Sequence, residues 1–472
     1  MTFINAQSRS SLLRAVTLFA FVLLTGCARF SADAGFTPVE QAGQQLDKQL
    51  SWVKTPEQRS QVAERVTELL AQPLDVEAAV QIALLNNRDL QARFEDLGIS
   101  EAERVQAGRL PNPGFAFGRM EKGTEVEYER GVHLNLARLI AMPLTAKMEN
   151  ARFAQMQQQT RLAVFELAVQ TRKAWYGAVA AEQSLTYRQQ VMAAAEAAAE
   201  LARRLAAVGN YSALQQASEQ SFYADAGLNL IRAQKARVQS REQLTRLLGL
   251  WGEQIDFSLP ERLPELPATA AAQPDVERLA MAQRLDIQAV RLEAERLASN
   301  LGLSKTTRFI NVLELGVANN RSNEAPTQRG YEISVELPLF DWSGAKVAKA
   351  EAQYRQMLNR AAATAINARS EVREAYLGYH SSHDIARHYR DEVLSLRARI
   401  AEENLLQYNG MFISTFELLA DARQQILAVE GYLQAQRDFW IAKADLDMAI
   451  LGAPSFASST PATAAIEAPA GH

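Results

Sequence analysis

The sequence predicts a mainly α chain with a minor β part, built from a duplicated unit of long antiparallel helices and four short strands. Three observations carry this. Two stretches of about 60 residues are rich in Ala, Gln, Glu, Leu and Arg and free of proline, as long helices require. Four short segments alternate apolar and polar residues with period two. The order of motifs runs through the chain twice. Among the 472 residues, 50 Lys and Arg face 54 Asp and Glu, and the net charge of −4 gives no electrostatic reason to bind nucleic acid. A hydrophobic share of 48% with 22% charged residues argues against both a multi-span helical membrane protein and wholesale disorder. A single cysteine excludes a disulfide framework and any cysteine-clustered zinc site.

The chain opens on an address. Arg9 and Arg14 precede an apolar run from Ala15 to Leu24, shorter than the roughly 20 residues a membrane-spanning helix needs. The sole cysteine closes it in Leu24-Thr25-Gly26-Cys27, which resembles a bacterial lipobox. The resemblance implies a signal peptide over 1–26, acylation of Cys27 with palmitate-type chains, and a lipid-anchored segment over 27–72. Ala28 follows, and in that pattern a residue other than Asp favours the outer membrane. An ordinary signal peptide with an incidental cysteine is the alternative.

The body is written twice. Asp89-Leu90-Gln91-Ala92 returns as Asp286-Ile287-Gln288-Ala289, and Arg172-Lys173-Ala174-Trp175-Tyr176-Gly177 returns as Arg373-Glu374-Ala375-Tyr376-Leu377-Gly378. Gly209 returns as Gly410, and Leu247-Leu248-Gly249 as Ile450-Leu451-Gly452. The order is kept while the offset drifts by only a few residues, so residues 73–257 and 275–452 are two copies of one unit. Between them, 258–274 is a Pro-rich linker, and 453–472 is an Ala/Ser/Pro-rich tail expected to be disordered.

Each unit begins with a helix, Val76 to Ala107 and Val276 to Ser304, the first stopped by Pro111 and Pro113. Two alternating segments come next, then a long helix, Ala146 to Ala207 and Ala345 to Gln407. About 60 helical residues reach roughly 90 Å, the length of a conduit rather than of a compact domain. Turns at Gly209-Asn210-Tyr211 and Asn409-Gly410 lead into return helices ending at Leu248 and Leu451. Ala-rich helices taken alone read as a plain coiled coil.

The alternating segments decide between the two. From Tyr331 to Phe340, apolar Tyr331, Ile333, Val335, Leu337 and Leu339 interleave with polar Glu332, Ser334 and Glu336. Phe309 to Ala318, Gly114 to Arg119, and Val132 to Ala137 are the other three. At about 10 residues each they match tilted membrane strands, although a small soluble sheet is the competing reading. Four strands cannot close a barrel, and open edges in lipid cost several kcal/mol per unpaired group. Membrane strands here therefore require several chains to share one barrel: two give the eight-strand minimum and three give twelve with room for a lumen.

The run Pro73-Leu74-Asp75-Val76-Glu77-Ala78-Ala79-Val80 through Asn86-Asn87-Arg88-Asp89-Leu90 resembles the first helix of the TolC-like outer-membrane efflux family, with Arg88 where that family usually has proline. Leu110-Pro111-Asn112-Pro113, Val335-Glu336-Leu337-Pro338-Leu339-Phe340-Asp341 and Tyr408-Asn409-Gly410 with Phe416-Glu417-Leu418-Leu419 resemble its strand boundaries and second hairpin. The first-unit counterpart of the strand exit, Leu136 to Ile140, lacks the Pro and Phe. The resemblance covers residues 73 to 452. It implies a homotrimer in the outer membrane of a Gram-negative bacterium. Its shared 12-strand transmembrane β-barrel would continue as an α-barrel into the periplasm, where a periplasmic adaptor joins it to an inner-membrane pump. Such a duct does no chemistry and needs no cofactor. A lipid-anchored periplasmic scaffold or adaptor without a pore is the rival. The enzyme reading finds no Gly-rich phosphate loop, Gly-x-Ser-x-Gly elbow or His-Glu-x-x-His.

Candidate functional residues follow from this. The turns Gly209-Asn210-Tyr211-Ser212 and Asn409-Gly410-Met411 are candidate adaptor-docking tips, with glycine permitting the reversal; ordinary turn chemistry explains them equally. Glu417 and Asp421 lie i,i+4 on one helix face and are candidates for an acidic periplasmic aperture; the resemblance matches Glu417 directly and Asp421 one residue out of register. His380, His383 and His388 cluster in one helix, with Asp384 near, but no spacing matches an established metal site, and a polar helix patch is the simpler reading. Met411 is likewise a turn residue before it is a soft-metal contact.

Overall fold

The computed structural model describes residues 29–306, 312–336, 340 and 342–454. Cys27 with its lipobox, the tail beyond 454, Phe309, and Leu337, Pro338, Leu339 and Asp341 of the strand exit lie outside the described residues.

The elements in order are α1 (Thr37–Gln45), α2 (Pro56–Leu70), α3 (Val76–Asn86), α4 (Arg88–Ala107), β1 (Gly114–Lys122), β2 (Glu125–Asn135), α5 (Leu136–Ala207) and α6 (Ala213–Leu248). A short 3-10 turn at Gly252–Ile255 follows, then α7 (Val276–Gln283), α8 (Leu285–Thr306), β3 (Leu313–Ser322), β4 (Gln328–Val335), α9 (Gly344–His388), α10 (Leu394–Asn409) and α11 (Thr415–Leu451). Among the described residues no helix is long and apolar enough to cross a membrane. The described residues form two compact units, and each draws on both sequence repeats: one holds those of 29–39, 93–160 and 287–364, the other those of 40–92, 161–286 and 365–454.

The helices differ from the sequence expectation in four places, each with a local cause. The first helix of each repeat is broken, at Asn87 and at Arg284, where ψ opens to 122° and 121°. The Asn87 side chain accepts from Leu90 N at 3.0 Å, which starts α4, and donates to Leu247 O at 3.0 Å. Arg284, 1% exposed, binds both Asp286 oxygens (3.0 and 2.6 Å), Glu371 (2.7 Å) and Ala449 O (3.3 Å). Both break residues thus reach the last turn of their own repeat's return helix, where carbonyls lack intrahelical donors.

The long helix α5 starts at Leu136 instead of Ala146, so Leu136 and Ala137 leave the strand assigned to them. Asn135 Oδ1 accepts from Arg138 N at 2.8 Å and caps the helix directly at the strand end. Pro143 then lies inside the helix, where it has no N–H for Leu139 O; two residues on, Thr145 Oγ1 back-bonds to Ala141 O at 3.1 Å. In the second repeat the long helix is interrupted by a π turn at Tyr389–Val393. Tyr389 there packs on Gly431, where a Cβ would stand 2.6 Å from the ring.

In the first unit, Glu101 (1% exposed) accepts from the backbone N–H of Ser31 at 2.8 Å and from its hydroxyl, and Phe36 meets Phe94 edge-on at 4.9 Å. Gly35, at φ +72°, lies against Phe153, where a Cβ would come within 2.3 Å of the ring. In the second unit the core joins Val276, Ala280, Val372, Tyr379, Phe439 and Ile450. An extended strap is clamped there by two glutamines: Gln81 exchanges two bonds with the Gln49 backbone (3.0 and 2.9 Å), and Gln91 binds Val53 N (3.0 Å) and Ser51 O (2.8 Å). The Pro-rich linker is held in the same way. Gln436 and Trp440 donate to Pro264 O at 2.8 and 3.1 Å, Arg390 donates to Leu266 O at 3.2 Å, and His383 Nε2 lies 3.0 Å from Pro267 O. The irregular linker has no ladder for its carbonyls to join, so side chains take them.

Candidate functional site

The sheet is antiparallel in the order β1-β2-β3-β4, so among the described residues β1 and β4 each pair on one side only. Its register sorts residues by face, because direct cross-strand partners point the same way. Phe115, Val132, Val317 and Tyr331 form one continuous rung. Leu134, Leu315 and Ile333 form the next, and Leu313 with Val335 the one after. Phe115, Val317 and Tyr331 are 69%, 61% and 78% exposed, so none of the described residues covers this apolar face. Beyond it the same face turns aromatic and cationic, with Phe117, Arg130 and Arg329 in one rung and Tyr128 between Arg119 and Arg321 in the next.

The opposite face is small and polar. Ala116, Gly131, Ala318 and Gly330 form its central rung. On one side lies Gly118, Glu129, Asn320, Gln328; on the other Gly114, His133, Gly316, Glu332, followed by Asn135, Glu314, Ser334. The absent side chain of Gly114 makes room for the His133 ring, which a Cβ there would meet at 2.1 Å.

The strands differ at their ends from the sequence expectation. β2 begins at Glu125, straight after the two-residue turn Gly123-Thr124. β3 is displaced toward Ser322 and β4 begins at Gln328. The polar residues of these added stretches hid them from an alternation search, since the aromatic and arginine rungs do not alternate apolar with polar.

The hairpin turns share one design. At the first, Gly209 takes φ +79°, and Ser212 caps α6 in a reciprocal box with Gln215 (2.9 and 3.2 Å). At the second, Ser414 forms the same box with Glu417 (2.8 and 3.2 Å). The reversing residue there is Met411, at φ 62°, and not Gly410, whose φ is −79°. Gly410 is needed instead because a Cβ would come within 2.8 Å of the Phe412 ring. Met411 and Phe412 are 92% and 84% exposed; Phe412 escaped the sequence analysis, although a large apolar residue in a polar turn was the available signal.

Within one chain, Glu417 serves the cap of α11. The Ser414 backbone N–H first, and its hydroxyl next, hold this carboxyl below the ordinary glutamate range. Asp421 stands 3.7 Å from Arg397 on α10. Two residues on, Arg423 reaches α6, with Nη2 2.6 Å from Glu219 Oε1 and the guanidinium 4.7 Å above the Phe222 ring. Burial pushes up the pKa of the Tyr211 hydroxyl in this cluster, and the charge of Glu219 adds to the effect. Sequence reasoning missed this pair because its partners belong to different hairpins.

The three histidines do not converge. His383, 2% exposed, is committed to the linker. His380 packs between Tyr376 (4.5 Å) and Tyr379 (5.3 Å). His388 is exposed, 3.3 Å from Glu392. Among the described residues no group of three or more His, Cys, Asp or Glu side chains is placed to hold a metal.

No family model matches the chain. Over 282 residues, 57% of its length, it is 24% identical to the cobalt-zinc-cadmium resistance protein CzcC of Cupriavidus metallidurans, and the match spans 64% of that relative, just under two thirds. It superposes on CusC with a TM-score of 0.66 at 16% identity, covering 80% of this chain and 92% of that one. For the outer membrane channel CmeC of Campylobacter jejuni the TM-score is 0.66 at 15% identity, covering 79% and 85%. For the outer membrane protein VceC of Vibrio cholerae it is 0.65 at 13%, covering 84% and 97%. The chain has the fold of the TolC-like outer-membrane channels.

Proposed function

We propose that this chain is one third of an outer-membrane exit duct, a passive conduit that a periplasmic adaptor couples to an inner-membrane pump. The observation that carries the reading is the sheet: an uncovered apolar face, an opposed polar face of small residues, and two open edges. Lipid satisfies the first and water the second, and only neighbouring copies satisfy the edges. A homotrimer closes twelve strands around a lumen. The helices support the same assembly. On α6, Leu214, Leu228, Ile231 and Val238 fall on one coiled-coil seam, 54% to 80% exposed, which suits a neighbouring copy.

In this reading the chain performs no catalysis. Cys27 carries the lipid that holds its N-terminus at the outer membrane, and the tips around Gly209–Ser212 and Asn409–Met411 meet the adaptor. Glu417 and Asp421 stand toward the periplasmic aperture. Divalent metal cations are the favoured cargo. Glu129, Glu314 and Glu332 on the polar face and the metal-resistance name of the CzcC relative support this choice.

The test is planar-bilayer conductance of the detergent-extracted protein, with its mass measured in parallel. Stepwise channels from a trimer are expected; a monomer without conductance overturns the duct. Cys27→Ala is expected to abolish fatty-acid labelling, and labelling that persists removes the lipid anchor from the proposal.

A further inference from the structure

The break between α3 and α4 opens a groove on the second unit. Its walls are α2, with Arg59, Val62 and Ala63, and the break itself, with Leu85, Asn86 and Arg88; its volume is about 410 Å³. The turn after α6 closes it. Gly249 at φ +66° lets the chain pass Asn86, where a Cβ would meet the backbone oxygen at 2.7 Å, and Gly252 follows at φ +61°. Between these two left-handed residues Trp251 projects beside the groove, 78% exposed. Arg59 and Arg88 are both exposed, and neither forms an ion pair with any described residue, Glu253 of the same groove included.

The chain itself indicates what such a place accepts. At the equivalent break of the second repeat, the guanidinium of Arg284 is closed over by two carboxylates, Asp286 and Glu371. In the first repeat the guanidinium sits one residue later, at Arg88, and no described residue supplies a carboxylate to it. Beside the groove, Gln91 already holds an extended backbone, bonding Val53 N and Ser51 O. Carboxylate chemistry and extended-peptide chemistry thus both have precedents in this chain. Tryptophan and arginine are also the side chains that most often anchor protein interfaces.

We propose that this groove docks a short, extended acidic segment of a partner protein, its carboxylates on Arg59 and Arg88 and an apolar side chain on Trp251, Val62 and Leu85. This docking site is separate from the hairpin tips and does not depend on the chain forming a duct.

The experiment uses the full chain in detergent and two fluorescent, end-capped tetrapeptides, one of alternating Asp and Leu and one of alternating Asn and Leu, followed by anisotropy. The acidic peptide is expected to bind about tenfold more tightly than the neutral one, and its affinity to fall about tenfold in Arg59→Gln, Arg88→Gln and Trp251→Ala. These exposed sites leave the helical circular dichroism unchanged. Equal affinity for both peptides, no binding of the acidic one at millimolar concentration, or undiminished binding to the Arg59→Gln/Arg88→Gln double variant overturns the proposal. So does a change of oligomer mass in Trp251→Ala, which would make the groove a contact between copies of this chain.

Discussion

Arg423 Nη2 lies 2.6 Å from Glu219 Oε1, and Glu219 is only 1% exposed. This pair joins the return helix of the second hairpin to that of the first, a short distance from both turns. A buried ion pair adds little net stability, because desolvation offsets most of the attraction, but losing one partner strands the other. Glu219→Ala is therefore expected to cost about 3 kcal/mol, whereas a Glu219→Leu/Arg423→Met double variant recovers most of it. Thermal unfolding of both proteins, with proteolysis at the turns, measures the difference. An equal loss in both would show packing, and not the stranded charge, to be the cause.

The two helix breaks make an internal comparison. Arg284→Met leaves Asp286 and Glu371 without their shared cation and is expected to destabilise by about 3 kcal/mol. Asn87→Ala removes one cap and one bond to Leu247 O, a loss of about 1–2 kcal/mol. Circular dichroism melts of the two variants should rank in that order.

The sheet faces give opposite outcomes at adjacent residues. Val317→Arg places a charge on the apolar face and is expected to oppose membrane insertion by about 2–4 kcal/mol. Ala318→Arg, on the polar face, should insert normally and reduce conductance. Membrane fractionation and single-channel recording separate the two, and equal insertion defects would contradict the assignment of faces.

The second hairpin carries a pH dependence of defined sign. The native carboxyl of Glu417 titrates below its unfolded value of 4.5. Its capping contribution is therefore fully present above that value and lost as pH falls through the lower native one. Amide protection factors at Ser414 and Glu417, corrected for the intrinsic rate, should fall only on acidification through that window. Glu417→Gln, which copies the Gln215 box of the first hairpin, should remove the pH dependence while keeping the cap.

Some of the molecule was legible in order of residues alone. Val132 and Leu134 on β2, and Tyr331, Ile333 and Val335 on β4, declared a two-faced strand because period two is a local property. Gly209 and the long proline-free runs declared the hairpins for the same reason. Asn135 was harder: its neighbours alternate smoothly into Leu136 and Ala137, and only its bond to Arg138 N ends the strand. Gly410 misled, because glycine at a turn suggests a left-handed backbone, while here its missing side chain serves the Phe412 ring.

The sequence by itself determined the duplication, the helical runs and the strand faces. Each of these rests on propensity, periodicity or backbone satisfaction, which depend on near neighbours. Only the tertiary structure decided that Asn87 and Arg284 break their helices, that His383 holds the linker, that Glu219 meets Arg423 and that Trp251 stands beside two guanidiniums that no described carboxylate meets. Those are encounters between residues far apart in the chain, and packing alone sets which distant side chain satisfies a buried charge, a freed carbonyl or an interrupted helix.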